Sequence, residues 1–444
     1  MKTTGVIKLV LLVMALLFAA APWTAALGDA EEDIALYTQV IQENPVDDTA
    51  YNKRANAYYA LQKYEEAIAD YSMAIELVTD NAVYYNNRAN AYYSSQNYEA
   101  ALPDFVKAIA LAPDNAAYHN NLGNTCFYLR QYEEAIVFYT KAVEIDPAYS
   151  QAYQNRANSY NAMERYEDAL ADYTASIDTS PGDIGATLYA QRFNNRGIAY
   201  YNLSMYEEAI QDYTRAIALD PSNASYYNRR GTSYHFLQKY EEAITDFTRA
   251  IAIDPAYSQA YHNRGNVYNA LEQYVDALVD YTAAIDTSPA DVSAVLYGQR
   301  FNNRAVVYDS LKMYEEAIRD FTRAIELDPA NANYHNRRGN ARYSLDRYEE
   351  AIQDYDQAIL LNPGSGTFYR NRGNACRELQ NYEEAIRDFT RAIETEPGYA
   401  PGYQYRGDIY VLLDDRESAL LDYKKALELV PDNQTYLDLV ESLK

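Results

Sequence analysis

The chain repeats one short segment along its length, and this repetition limits its fold more than its length does. Asn56, Asn90, Asn124 and Asn158 are evenly spaced, and each pair of neighbours is one repeat apart. The period continues through eleven copies, which begin near residues 48, 82, 116, 150, 190, 224, 258, 298, 332, 366 and 400. A repetitive chain grows by stacking copies, so we expect an elongated array and not one large core.

Each copy, numbered from position 1 to position 34, keeps the same small and aromatic residues. Position 8 is Gly or Ala, position 20 is Ala, position 24 is Tyr or Phe, and position 32 is Pro in every copy but the first. Small residues let two helices approach closely, aromatic rings fill the space around them, and proline ends the second helix. The pattern therefore predicts antiparallel helix pairs that cover one another's apolar faces.

These copies resemble tetratricopeptide repeats, with one departure. The tryptophan that is frequent at position 4 in that family is Tyr, Phe or His here. The resemblance implies an all-α, right-handed superhelical solenoid of antiparallel helix pairs, with eleven repeats over residues 48–433. Since the ends of such an array need covering, we expect a capping half-repeat over residues 29–47 and a capping helix over residues 434–444. The resemblance also implies a non-enzymatic scaffold that binds proteins or peptides.

Residues 1–28 differ from the rest of the chain. Lys2 and Lys8 are followed by an unbroken apolar run from Leu9 to Ala21. Such a run is short for a membrane span and typical of a signal peptide. We therefore expect an exported protein, periplasmic or secreted. The alternative is a segment that stays uncleaved and tethers the chain to a membrane.

The charge and the scarcity of reactive residues narrow the classes of partner. A formal net charge of -26 repels nucleic acid phosphates. The four histidines lack metal-ligand spacing, and Cys126 and Cys376 occupy the same repeat position, where a small core residue is expected. The sequence predicts no metal site, no cofactor, no catalytic residue and no small-molecule substrate. Protein or peptide partners remain.

A charged pair recurs in the repeat. Position 7 is Arg and position 23 is Asp in ten copies, whereas the third copy lacks both and has Leu122 and Phe138. Loss of one partner of a half-buried ion pair is costly, but replacement of both by apolar groups can be neutral. We therefore predict a salt bridge between the two helices of a repeat, such as Arg88 with Asp104 and Arg230 with Asp246. The alternative is that the arginines line a binding groove.

The family resemblance implies that the first helices line a concave groove whose ligands touch positions 2, 5, 6, 9 and 12. Here these positions are rich in Asn and Tyr, although Asn is a poor helix former. A carboxamide both donates and accepts, so a row of them can hold an extended chain by its backbone. This arrangement is similar to the asparagine ladder in the tetratricopeptide part of O-GlcNAc transferases. The candidate groove residues are Asn52, Asn56, Tyr59, Asn86, Asn87, Asn90, Tyr93, Asn120, Asn121, Asn124, Asn155, Asn195, Asn263 and Asn303.

Two questions about this groove remain open at the level of sequence. The asparagines could instead bond neighbouring helices to each other. The function could be that of a scaffold, of a substrate-targeting or regulatory subunit for a separate enzyme, or of a membrane-tethered organiser. Repeats one to three, where Asn and aromatic residues coincide most densely, are the first candidates for a binding site. Six-residue insertions near residues 183–188 and 291–296 are expected to lengthen the next first helix.

Overall fold

The computed structural model describes the backbone from Ala21 to Lys444 and the side chains from Asp29 onward. The predicted signal peptide thus lies outside the described residues, apart from residues 21–28, whose backbone begins the first helix. The described part contains 24 α-helices and no strand, which confirms the all-α class. None of its helices is both long and apolar enough to cross a membrane. Contacts divide the chain into two units, one ending at Pro221 and one beginning at Ser222.

The first unit holds a leading helix and five helix pairs. Its helices are α1 (Ala21–Glu43), α2 (Asp48–Ala60), α3 (Tyr64–Leu77), α4 (Ala82–Ser94), α5 (Tyr98–Leu111), α6 (Ala116–Tyr128), α7 (Tyr132–Ile145), α8 (Ser150–Ala162), α9 (Tyr166–Asp178), α10 (Ala186–Asn202) and α11 (Tyr206–Leu219). Each even-numbered helix is the first of its pair, and the five pairs correspond to repeats 1 to 5. Within this unit every helix packs on the next one along the chain.

The second unit holds six helix pairs and a closing helix. Its helices are α12 (Ala224–Phe236), α13 (Tyr240–Ile253), α14 (Ser258–Ala270), α15 (Tyr274–Asp286), α16 (Ala294–Ser310), α17 (Tyr314–Leu327), α18 (Ala332–Tyr343), α19 (Tyr348–Leu361), α20 (Gly366–Glu378), α21 (Tyr382–Thr395), α22 (Ala400–Leu412), α23 (Arg416–Leu429) and α24 (Gln434–Ser442). They correspond to repeats 6 to 11 and one further helix, and they too pack consecutively.

The core of each pair is built from the small and aromatic positions. In repeat 3 the ring of Tyr139, at position 24, lies against Gly123, at position 8. A Cβ atom at Gly123 would come within 2.6 Å of Tyr139 Cε1, so the close approach requires glycine in this repeat. Ala135 and Ala142, at positions 20 and 27, are completely buried. Cys126 lies in the same core, and burial raises the pKa of its thiol to about 11.

The turn between the two helices of each repeat has a left-handed residue that the sequence does not reveal. Position 15 has φ between 57° and 64° in all eleven repeats, and none of these residues is glycine. The following residue donates its N–H back to a carbonyl of the first helix, as Lys63 does to Tyr58. This backbone bond closes the helix end and fixes the turn, although an L-residue in this conformation is strained.

The two insertions lengthen the next first helix by under two turns, as predicted. Helices α10 and α16 each have 17 residues. Asp183 and Asp291 nevertheless remain in the preceding loops, which Pro181 and Pro289 introduce.

Each lengthened helix carries one arginine that is almost fully buried, Arg192 or Arg300. Arg300 donates to the carbonyl oxygen of Ala284 at 2.9 Å and to Ser258 Oγ at 3.1 Å. A cation at the carbonyl end of α15 complements the helix dipole and joins the lengthened helix to the preceding pair.

Candidate functional site

The predicted salt bridges join the two helices in ten of the eleven repeats. Arg88 donates from Nε and Nη2 to Asp104 at 2.6 and 2.8 Å, and Arg230 does the same to Asp246 at 2.7 Å. All ten pairs have this bidentate form, with shortest distances of 2.6 to 2.8 Å. The hydrogen-bonded carboxylate of Asp104 holds the pKa of Arg88 above its ordinary value. These arginines therefore serve the fold and do not project into a groove.

The same arginines also connect neighbouring repeats, which sequence reasoning missed. Arg88 Nη1 donates to Ser72 Oγ at 3.0 Å, and Arg156 Nη1 donates to Thr140 Oγ1 at 3.0 Å. The acceptor is position 25 of the preceding repeat, and it is Thr or Ser in eight described cases and Asp356 in a ninth. Where repeat 3 has Leu122 in place of Arg, position 25 of repeat 2 is Val106. The joint absence of the arginine and of its hydroxyl acceptor in these two repeats is the sequence pattern from which the contact could have been predicted.

The position 6 asparagines donate to the first helix of the preceding repeat. Asn155 Nδ2 donates to Asn120 at 3.0 Å and to Asn124 at 2.9 Å. Asn87 bonds Asn52 and Asn56 in the same way. Equivalent bonds run from Asn121 to Asn86, from Asn263 to Asn228, from Asn371 to Asn336 and Asn340, and from Asn303 to Asn266. The predicted groove residues thus form a polar network between repeats within each unit.

The position 9 asparagines also accept a bond from inside their own repeat. Tyr139 donates its hydroxyl to Asn124 Oδ1 at 2.8 Å, and Tyr71 donates to Asn56 Oδ1 at 2.6 Å. The same bond links Tyr173 to Asn158, Tyr281 to Asn266, Tyr355 to Asn340, and Tyr423 to Asp408. In these repeats, the residue at position 24 fills the core and also orients the polar side chain at position 9.

These bonds change the interpretation of the asparagines. Asn52, Asn56, Asn87, Asn124 and Asn155 bond neighbouring helices, which was the alternative to a ligand-binding role. A free row of carboxamides is therefore the wrong picture for these residues, because much of their bonding capacity is already used. Asn195 accepts a bond from Asn194 at 3.1 Å, and Asn90 lies half-buried in the same row. Binding of a ligand by any of them stays a prediction.

A notch in the first unit brings several predicted residues together. We call it the N-unit notch; it has a volume of about 270 Å³, and its lining residues are Tyr93, Asn124, Phe127, Tyr128, Tyr139, Gln151, Asn155 and Asn158. Tyr128 is 56% exposed and stacks on Tyr98 with ring centroids 5.1 Å apart. Burial raises the pKa of Tyr93, so this phenol stays neutral. The notch combines aromatic faces with carboxamides and has no charged lining residue in the described chain.

A second notch occupies the same repeat positions in the second unit. This C-unit notch has a volume of about 290 Å³, and its lining residues are Asn340, Tyr343, Ser344, Tyr355, Asn371, Asn374, Arg377 and Tyr405. Both notches use positions 9, 12, 13 and 24 of one repeat and positions 6 and 9 of the next. Sequence reasoning overlooked Tyr128, Arg377 and Tyr405, although each departs from the usual residue at its position.

The remaining predicted residues lie outside these notches. Tyr59 bonds Ser94 Oγ at 2.8 Å and packs edge-on against Tyr64, so it joins repeats 1 and 2. A larger cavity of about 620 Å³ lies at the turns around Pro113 and Asp146 and contains no predicted site residue. Over the described residues, no group of three or more His, Cys, Asp or Glu side chains could hold a metal ion.

Comparisons with known families identify the repeat. Models described as tetratricopeptide repeat or TPR repeat match residues 55–96, 82–115, 116–149, 138–171, 190–223, 212–245, 231–271, 299–331, 332–365, 367–399 and 400–433. Together these segments cover more than half of the chain. The comparison with curated proteins gave no match.

Solved structures with a similar fold include three repeat proteins. YrrB, described as a TPR protein with an unusual peptide-binding site, is 24% identical over 42% of this chain and 93% of its own, with a TM-score of 0.37. The C-terminal part of a TPR repeat-containing protein from Cytophaga hutchinsonii is 20% identical over 55% and 98%, with a TM-score of 0.48. Yeast Tom70 is 16% identical over 89% and 94%, with a TM-score of 0.35. At these identities and scores the similarities bear on the fold alone.

Proposed function

Because the chain belongs to the tetratricopeptide repeat family, we propose that it is a non-enzymatic scaffold which binds segments of other proteins in an extracytoplasmic compartment. In each unit the binding surface is the set of first helices that carries its notch. The observation that carries this proposal is the recurrence of an open notch at the same repeat positions in both units. Small concave sites lined by aromatic and carboxamide groups favour side chains of an extended partner segment.

The N-unit notch is the first candidate for the main contact. Tyr128 is exposed, yet its ring is held by the half-buried Tyr93 and Tyr98, since these three rings pack with centroids 5.1 to 5.6 Å apart. Tyrosines that are already ordered lose little side-chain entropy on binding and are common among the residues that dominate interface energies. The neutral lining favours an apolar or aromatic side chain flanked by peptide groups, which the carboxamides can bond.

The test is a pull-down from the exported fraction with three forms of the full chain. Asn→Ala changes at positions 6 and 9 would break the inter-repeat network, so Tyr128→Ser is the better notch variant. Val137→Ser is its matched control, because Val137 is 64% exposed on the second helix of the same repeat. Recovery of a partner by the wild type and by Val137→Ser, with its loss in Tyr128→Ser, is expected. Equal recovery by all three forms would refute the proposed surface.

A further inference from the structure

Asn374, in the C-unit notch, lacks the hydrogen bonds that other asparagines at position 9 of the repeat make. In repeat 9 the equivalent Asn340 Oδ1 accepts from Tyr355 at 2.9 Å and from Asn371 at 3.1 Å. Repeats 1 and 3 satisfy Asn56 and Asn124 with the same two donors. A position 9 carboxamide oxygen therefore normally receives a phenol from its own repeat and an amide from the next.

Both donors are missing around Asn374. Position 24 of repeat 10 is Phe389, which has no hydroxyl, and position 6 of repeat 11 is Tyr405 in place of asparagine. The ring of Tyr405 packs against Phe389 with centroids 5.7 Å apart. Among the described residues, Asn374 Oδ1 is buried and has no hydrogen-bond partner. A buried acceptor without a donor costs about 1–3 kcal/mol, so such an atom requires an explanation.

Asn374 lines the C-unit notch together with a cation. Arg377 stands three residues after Asn374 on α20, which places the two side chains on one helix face. It is the one arginine at position 12 of the eleven repeats. Its guanidinium bonds Glu378 Oε1 at 2.8 Å and also lines the notch of about 290 Å³ with Asn374. The notch lining therefore combines a carboxamide whose oxygen has no donor with a cationic donor on the same helix face.

A ligand group that satisfies both features with two separate atoms must carry a donor and an acceptor side by side. A carboxylate suits Arg377 but offers no donor to Asn374, whereas an ammonium or guanidinium group suits Asn374 but is repelled by Arg377. A trans peptide unit carries its C=O and N–H on opposite sides, so it cannot turn both toward one helix face. A primary carboxamide carries its oxygen and one N–H side by side. It fits both partners at once.

We infer that the C-unit notch is a subsite for a primary carboxamide, that is, an Asn or Gln side chain of the bound protein segment. Its N–H donates to Asn374 Oδ1, and its oxygen accepts from Arg377. The inference rests on the proposed function and gives it a sequence preference. It also accounts for Phe389, because a tyrosine at this position would donate to Asn374 and fill the site from within.

The test uses two blocked amino acids, acetyl-Gln-N-methylamide and acetyl-Glu-N-methylamide, titrated into the full-length chain labelled with ¹⁵N-arginine. The two probes have the same backbone, so contacts to their peptide groups cancel. We expect the Gln probe to shift the Arg377 Nε resonance saturably. Phe389→Tyr should weaken it about tenfold, the effect of one lost hydrogen bond to a buried group. Tyrosine stands at this position in other repeats, so this variant is expected to fold, which thermal unfolding by circular dichroism checks.

The control is Phe247→Tyr, which makes the same change in repeat 6, where position 9 is Thr232; it should leave binding of the Gln probe unchanged. Absence of a shift with the Gln probe, equal binding of the Glu probe, or full binding by Phe389→Tyr would overturn the inference. Partner recovery in the pull-down with Tyr128→Ser is independent of these results. If the pull-down fails and the Gln probe binds as expected, the N-unit contact is refuted and the carboxamide subsite is retained.

Discussion

The guanidinium of Arg156 donates two hydrogen bonds to the carboxylate of Asp172, from Nε at 2.6 Å and from Nη2 at 2.7 Å. Its third nitrogen reaches Thr140 in the repeat before. One side chain therefore joins three helices, and ten of the eleven repeats have the same arginine. Because the pair is largely buried, with 15% and 8% of the side chains exposed, removal of one partner leaves an uncompensated charge.

Arg156→Leu should destabilise repeat 4 by about 3 kcal/mol, because Asp172 remains buried without a partner. The triple change Arg156→Leu, Asp172→Phe and Thr140→Val copies the natural residues at Leu122, Phe138 and Val106 and should recover most of that loss. Hydrogen exchange of the amides in α9 measures both effects. Arg165→Leu removes an exposed pair with Asp168 and should change the free energy by less than about 1 kcal/mol. A triple variant as unstable as the single one would contradict this view of the pair.

Gln96→Gly is expected to stabilise the first unit. Gln96 has φ of 64°, a conformation that costs an L-residue about 1 kcal/mol and glycine almost nothing. The gain is reduced by the greater freedom of glycine in the unfolded chain. Gln211→Gly, on the exposed face of α11, is the matched control and should cost about 1 kcal/mol. The midpoint of urea unfolding measures both variants. A lower midpoint for Gln96→Gly than for the wild type would show that the left-handed turn carries little strain.

His262 should make the second unit sensitive to acid. Burial, with a smaller effect of the nearby Arg300, lowers the pKa of His262 to about 4, against 6.5 for the free side chain. Between these values the unfolded chain binds a proton that the folded chain does not, so stability falls as the pH drops from 6.5 to 4. The full loss is about 3 kcal/mol.

The matched variant for this prediction is His262→Gln, since Gln154 stands at the equivalent position of repeat 4. Carboxylates titrate over the same range in both forms, so the difference between wild type and variant isolates the histidine. As the pH falls from 6.5 to 4, the free energy of unfolding should decrease more in the wild type than in His262→Gln. Parallel pH profiles from 6.5 to 4 would show that His262 takes up its proton equally in both states.

The sequence predicts those features of the fold that depend on single residues at fixed spacing, and not those that depend on contacts between residues of different helices. The repeat period, the helix pairs and the Arg–Asp bond follow from residues that recur at fixed spacing. The left-handed residue at position 15 does not, because Gln62 or Lys312 carries no local preference for that conformation and the packing of the two helices imposes it. The partners of Asn87 or Asn155 were equally hidden, since a carboxamide can bond a ligand or another carboxamide and only the contact between repeats decides.

Export can be tested independently of binding. Cleavage after residues 1–28 would remove Trp23, which is the single tryptophan of the chain. We therefore expect the exported protein to show tyrosine-like emission and an N-terminus near Asp29. A tryptophan emission band from the exported form would contradict cleavage and favour the membrane-tethered alternative. Uncleaved protein confined to the cytoplasmic fraction would refute the proposed compartment.

The location of the partner on the first helices is the central claim, and site-specific photo-crosslinking measures it most directly. A photoreactive amino acid is placed at Tyr128, in the N-unit notch, or at Val137, on the second helix of the same repeat, in the exported full-length chain. Both positions are more than half exposed, so they sample solvent comparably. We expect a discrete crosslinked partner from position 128 and none from position 137. A partner captured at position 137, with none at position 128, would contradict it.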